Sequence, residues 1–114
     1  MTLHRLVTRL GTSEAAYIAG LIDGEGTVTL TRAHRNENRR LVVCISNNET
    51  YRLSSRQALD LLRQIVGYMN SYKAIRTRLA LNKYLPLTPR NGRYTIAQLA
   101  ARDEFEAEFL AIRP

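Results

Sequence analysis

The sequence predicts an α+β domain of αββαββα order, an antiparallel sheet with its helices gathered on one face. Three observations predict it. Runs of alternating apolar and polar residues come in two pairs, each joined by turn-forming residues. Segments with helical apolar spacing precede, separate and follow those pairs. The outward positions of the alternating runs are Thr, Arg, Ser, Gln and Lys, which leaves the other sheet face uncovered. At 114 residues the chain can bury one modest core but not two, so residues 1–114 read as a single domain.

The first helix opens near Ser13, a suitable N-cap, and ends at the Gly24/Gly26 pair. Thr27 to Arg32 then alternate strictly, with Val28 and Leu30 on one face and Thr27, Thr29 and Thr31 on the other. "AHRNENR" is a polar hairpin loop. The strand "RLVVCISN" follows, with Leu41, Val43 and Ile45 inward and Arg40, Val42, Cys44 and Ser46 outward. Ser54 and Gln57 have the spacing of a capping box for a second helix. Its apolar stripe is Ala58, Leu61, Leu62 and Ile65, and Gly67 stops it. "YKAIRTRLAL" is expected as a third strand and "RYTIAQL" as a fourth, with Asn91-Gly92 as a hairpin turn between them. Pro86 and Pro89 make 84–90 a loop. The last helix turns Phe105, Phe109 and Ile112 inward and Asp103, Glu104, Glu106 and Glu108 outward. Tyr17 and Tyr94 read as packing residues.

Charge gives the first functional indication. Seventeen Lys and Arg against ten Asp and Glu leave a formal +7, with a pI near 10.2. Such a balance points to nucleic acid or an anionic membrane surface as partner. Fifteen of the cations are arginine, the side chain suited to bidentate contacts with phosphate and guanine. Residues 1–100 carry a net +9 and residues 101–114 a net −2, so the polyanion is expected on the earlier part. No apolar run approaches a membrane span. The start "MTLHRLVTRLGT" is too short and too charged for a secretory signal. The single cysteine, Cys44, excludes an intramolecular disulfide and a multi-cysteine zinc site. The expected location is intracellular, with no membrane partner.

The stretch "YIAGLIDGEGTV" at 17–28 carries the chemistry. Ala16, Gly20 and Gly24 recur every four residues, and Ala19 adds a fourth small side chain. Glycine inside a helix costs about 1 kcal/mol relative to alanine, so Gly20 calls for a packing reason, a second backbone lying close. The chain has one such helix, so its partner is expected to be the same helix of a second copy, in a two-fold contact. Asp23 and Glu25 at the C-terminal end oppose the helix dipole and repel each other. A cation is the expected compensation, and two symmetry-related Glu25 carboxylates would meet at the foot of that contact. Such oxygen ligands suit Mg²⁺ or another divalent cation. Taken alone, a solvated turn explains the two acids equally well.

Residues 18–26, "IAGLIDGEG", resemble the signature of the LAGLIDADG homing endonuclease family, with Ile18 for the first Leu, Gly24 for the second Ala and Glu25 for the second Asp. The resemblance covers nearly the whole chain, because αββαββα, with a saddle-shaped sheet, is that family's domain. A single motif resembles the homodimeric type. The resemblance implies an intron- or intein-borne endonuclease that cuts both strands of a long, roughly palindromic duplex site across the minor groove and leaves 3′ overhangs. Glu25, with Gly24 beside it, would coordinate the catalytic metal and help to activate the attacking water. Asp23 would hold the helix end, and Ala16, Ala19, Gly20 and Gly24 would form the dimer seam. The polar residue that the family places after the second strand matches Asn47 or Asn48. The family also places a basic residue beyond the last helix, whereas both lysines here, Lys73 and Lys83, come earlier. Members that keep the helices and lose the cutting act as RNA maturases or DNA-binding regulators, the alternative function.

With the uncovered face on double-stranded DNA, the strand candidates are Thr29, Thr31, Arg40, Val42, Cys44, Arg76, Arg78, Arg93 and Thr95. Arg76 and Arg78 share one face of the expected third strand. Arg32, Arg35, Asn36, Asn38 and Arg39 of the hairpin loop would reach farther along the groove or to phosphates. His34, among basic neighbours, reads as a polar loop residue, and Cys44, with no base beside it, as an uncatalytic thiol.

Overall fold

Alternation builds the sheet and helical spacing covers one side of it. The computed structural model describes residues 9–46 and 50–114. Its elements are α1 (Thr12–Glu25), β1 (Gly26–Thr31), β2 (Arg40–Ser46), β3 (Thr50–Ser54), α2 (Ser55–Ile65), a 3₁₀ turn at Val66–Tyr68, α3 (Tyr72–Lys83) and α4 (Ile96–Ala111). The strands lie in the order β1-β2-β3, each pair antiparallel. Val28 stands opposite Val43, which stands opposite Leu53, so these side chains point to one face. There they join Ile18 and Ile22 of α1, Leu61, Leu62 and Ile65 of α2, and Phe105 and Phe109 of α4 in one buried core. Each such side chain contributes about 1.5–3 kcal/mol by leaving water. Among the described residues no helix is long and apolar enough to cross a membrane.

The fold class is the expected one, but the element order is not. Residues 72–81 and 93–99 do not form a second pair of strands. The Ser71 hydroxyl caps α3 by accepting from the Lys73 N–H, and Lys73, Ala74, Thr77 and Ala80 are buried at helical spacing. That spacing underlies the apparent alternation and wins because it buries the small residues against the core. Thr95 and Gln98 form a capping box, each side chain bonded to the other's backbone N–H, so 96–99 become the first turn of α4. Asn91-Gly92 does turn, with Gly92 at φ +69, but leads into a helix.

The third strand instead falls at Thr50–Ser54, directly before α2. Ser54 is the N-cap of α2, yet its side chain makes no cap bond, so the capping box expected with Gln57 does not form. The chain turns from strand into helix through Ser55 at φ +53, a left-handed conformation that costs a non-glycine residue about 1–3 kcal/mol. α1 begins at Thr12 with Gly11 as N-cap, slightly ahead of the expected Ser13.

Glu106 is not on an acidic outer face. It is 4% exposed and pairs with Arg102, 1% exposed, one helical turn away at 3.0 Å. Its carboxylate also accepts from the Arg39 N–H at 3.2 Å and from Arg39 Nη1 at 3.0 Å. Arg102 donates in turn to the Leu87 carbonyl, to the Thr88 hydroxyl and to the Arg39 carbonyl. Its guanidinium lies 4.7 Å from the Tyr84 ring centroid, and the Tyr84 hydroxyl accepts from the Leu41 N–H at 3.3 Å. This clamp fixes the start of β2. Tyr17 is 63% exposed rather than packed in the core.

Candidate functional site

The foot of α1 carries Asp23 and Glu25 two residues apart, and the fold treats them oppositely. Asp23 reaches across to α3: Oδ2 accepts from the Asn70 N–H at 2.8 Å, and Oδ1 accepts from the N–H and hydroxyl of Ser71. Burial opposes its ionisation, but the Ser71 hydroxyl, the Asn70 and Ser71 N–H groups and the charge of Lys73 outweigh burial and hold the carboxyl below its ordinary value. An anion at the N-terminal end of α3 also suits that helix dipole.

Lys73 returns the contact. Its ammonium, 8% exposed as a residue, donates to the Ile22 carbonyl at 2.8 Å and to the Asp23 carbonyl at 3.0 Å. Both belong to the last turn of α1, where the Ile22 carbonyl also accepts from the Gly26 N–H, and α1 has no basic residue of its own there. For Asp23, a compensating cation is therefore present within the chain. Glu25, the last residue of α1, is exposed and takes part in no ion pair among the described residues.

The site offers hard oxygen donors: the free Glu25 carboxylate and the main-chain carbonyl of Gly24. Such donors fit a divalent cation that keeps waters and phosphate oxygens as its other ligands. Among the described residues no three His, Cys, Asp or Glu stand together to hold a metal ion. Asn47 and Asn48 lie outside the described residues.

Ala16, Tyr17, Gly20 and Gly24 occupy the exposed side of α1. A Cβ added at Gly20 or Gly24 would meet nothing within 4 Å, so neither glycine has a packing reason inside its own chain. Ala19 departs from the expected seam: it is fully buried, at 0% exposure, in its own chain's core. Asp23 is likewise turned toward α3 rather than along the exposed stripe.

The sheet face away from the helices carries three cross-strand rows: Thr27, Cys44 and Arg52; Thr29, Val42 and Ser54; Thr31 and Arg40. Val42, expected to meet DNA, is buried at 1% exposure and cannot. Arg40 and Arg52 are exposed, as are Arg32 and Arg35 of the β1–β2 loop. Thr31, Arg32, Arg40, Arg52 and Ser54 line a shallow basic depression of about 340 Å³. Five expected contacts belong elsewhere. Arg39 is held by Glu106. Arg76 points into the protein, donating to the Ile112 carbonyl at 2.8 Å and the Val28 carbonyl at 2.9 Å, and burial lowers its pKa. Arg78, two residues on along a helix and not a strand, projects to a different side and is exposed. Thr95 is a helix cap. Arg93 is exposed in the loop before α4, off the sheet. His34 is a solvated loop residue, 3.7 Å from Glu37.

Solved structures share this architecture, among them two of one enzyme. One is the homing endonuclease I-CvuI in complex with its target (Sro1.3) in the presence of 2 mM Ca, with a TM-score of 0.71 at 12% identity over 89% of this chain and 82% of that chain. The fold is that of a homing endonuclease. The other is I-CvuI with the I-CreI target (C1221) in 2 mM Mg, its DNA not cleaved, with a TM-score of 0.70 at 11% identity and the same coverage. No family model matches the sequence, and no curated protein does.

Within this homing-endonuclease fold, two residues stand out that the sequence reading did not place at the site. Arg52 joins the basic depression because "TYRLS" is a short alternating strand, with Leu53 inward and Arg52 and Ser54 outward; its brevity and the helix signal at Ser54 obscured it. Lys73 reaches α1 from some fifty positions away. The one signal for it was the uncompensated C-terminal end of α1.

Proposed function

We propose that the chain is a site-specific homing endonuclease that acts as a homodimer on a long, roughly palindromic duplex DNA site and cuts both strands with a divalent metal, Mg²⁺ by preference. The observation that carries this reading is the free Glu25 carboxylate at the foot of α1, beside a neighbouring acid fully engaged in holding the helix. Glu25, with the Gly24 carbonyl, would hold the metal, which when bound supplies charge neutralisation at the phosphate and a more acidic water. Lys73 spends two of its three donors on α1, leaving one for a phosphate oxygen, and is the basic group of the site. The partnerless stripe at Ala16, Gly20 and Gly24 would be the dimer seam and bring two Glu25 side chains together, one for each strand. Thr29, Thr31, Arg32, Arg35, Arg40 and Arg52 would meet the DNA. The site-specific motif at 18–26 and the basic charge of the chain support the same reading.

A binder without cutting activity, acting as an RNA maturase or DNA-binding regulator, is the second reading. It is favoured by the exposed Arg32, Arg35, Arg40 and Arg52, which serve binding whether or not Glu25 holds a metal.

Pooled plasmids with long random inserts, incubated with the protein and Mg²⁺ and sequenced at every new end, separate the two. Recurrent staggered breaks in a roughly palindromic sequence, lost with Glu25→Gln, are expected. Retention of plasmid on a filter without new ends would establish the second reading instead. Gly20→Leu should turn a dimer into monomer or insoluble protein in light scattering; an unchanged dimer mass would remove the helix seam.

A further inference from the structure

The arginines of the open sheet face and its loop are only part of the chain's basic surface. Three more gather on the opposite side of the molecule, on the outer face of α2. Ala58, Leu59, Leu61, Leu62 and Ile65 turn α2 inward to the core, so its exposed residues Arg56, Asp60 and Arg63 face away from the sheet. Two shallow depressions, of about 370 and 430 Å³, adjoin there and share Asp60 and Arg63. Arg56 lines the first and Arg9 the second. The Leu10 N–H donates to Gln64 Oε1 at 2.7 Å, which docks the segment before α1 on α2 and sets Arg9 beside Arg63.

Three cations here face one anion. Arg63 and Asp60 are 3.4 Å apart with side chains 60% and 55% exposed, a pair worth less than about 1 kcal/mol that salt weakens further. Arg56 makes no ion pair among the described residues and stands in the first turn of α2, which has no acidic residue. A cation there opposes the helix dipole, so fold stability gives no reason for it. Seven residues separate Arg56 from Arg63, which puts both on one helix face about 10.5 Å apart along the axis. Projected on a duplex axis, where one strand carries a charge about every 3.4 Å, that distance covers about three phosphates.

We propose that this groove is a second nucleic-acid surface, gripping the phosphate backbone of a separate segment without reading bases, so that one protein bridges two segments. The inference goes beyond the cutting reaction and needs neither Glu25 nor a metal. Its test uses an immobilised duplex, saturated with the protein and washed, then offered a free labelled duplex of the same length without Mg²⁺. The full chain should capture the free duplex. Arg56→Gln/Arg63→Gln should still be retained on the beads but capture at least about tenfold less, and its salt dependence of capture should fall by about 1.8 in slope, two phosphate contacts at 0.9 each.

Capture by this variant equal to that of the unaltered chain, or no capture of duplex or structured RNA by either, overturns the proposal. If Arg40→Gln/Arg52→Gln abolishes retention and capture together while the groove variant changes neither, the open face is the sole surface and the groove falls alone. If instead the open-face variant changes nothing and the groove variant loses retention, the groove is the first surface and not a second one, and both the bridging proposal and the open-face reading fall. A structured RNA captured in place of the free duplex upholds the groove and identifies the second segment as RNA.

Discussion

Arginine does opposite work on the two sides of β2. Arg102 is 1% exposed and spends its donors on Glu106, Leu87, Thr88 and Arg39. Arg40 and Arg52, on the open face, are exposed and have no acidic partner among the described residues. The first kind is buried only because every guanidinium nitrogen finds an acceptor; the second stays hydrated and free to exchange water and counterions for phosphate. Asp23 and Glu25 repeat the contrast with acids. Net charge therefore overstates the binding surface, since Arg39, Arg76 and Arg102 are committed to the fold.

The sharpest way to break this comparison is Glu106→Ala. It strands Arg102 without its counter-charge and should cost about 3–5 kcal/mol in a denaturant titration; a loss of only a few tenths would mean that the clamp is hydrated and resembles the outer arginines after all. Asp23→Ala removes the acceptors of Asn70 and Ser71 and should cost about 1–2 kcal/mol. Its pH dependence has a fixed sign. Although burial pushes the Asp23 carboxyl up, its hydrogen bonds and Lys73 hold it below the ordinary 3.8. Its contribution is thus complete above 3.8 and is lost as the pH falls through the lower folded value. The stability gap between the two proteins should close in acid, and a gap that widened there would reverse the assignment.

Gly20→Ala probes the exposed stripe of α1. With nothing within 4 Å of the added Cβ, it should stabilise the dilute single chain by about 0.5–1 kcal/mol and lose that gain where copies pair along the stripe. Thermal melts across a concentration series measure this, and a gain equal at all concentrations would speak against pairing there. The smallest effect on stability belongs to Arg40→Gln/Arg52→Gln, within about 0.5 kcal/mol, even as duplex binding loses about 1.8 in salt slope. A large destabilisation would show that these two arginines also serve the fold.

What could be read along the chain was what neighbouring residues decide. The alternation of Val28 and Leu30 against Leu41 and Val43 gave the β1–β2 pairing and its inward face. The small-residue stripe and the acids that end α1 were equally plain. Residues 72–99 misled because Tyr72 to Leu81 fit a period of two and a period near four alike, and only the core shows which face is buried. Thr95 and Gln98 carried a capping box three residues apart, but the preceding Asn-Gly turn had already implied a strand. Long-range partners were beyond reach. Nothing near Lys73 says that it caps α1, and nothing near Glu106 says that Arg39 will meet it.

The crossed contacts of Asp23 and Lys73 have a consequence for the order of assembly. They join positions 47 to 51 apart in the chain, so the helix that carries Glu25 is made well before the segment that completes it. A growing chain that has emerged only as far as β3 holds that carboxylate on a helix whose end is still unpinned. Closing such a long loop is an entropic step that local structure cannot hasten. The acid at residue 25 is therefore set in place only after the beginning of α3 has been synthesised and has folded back.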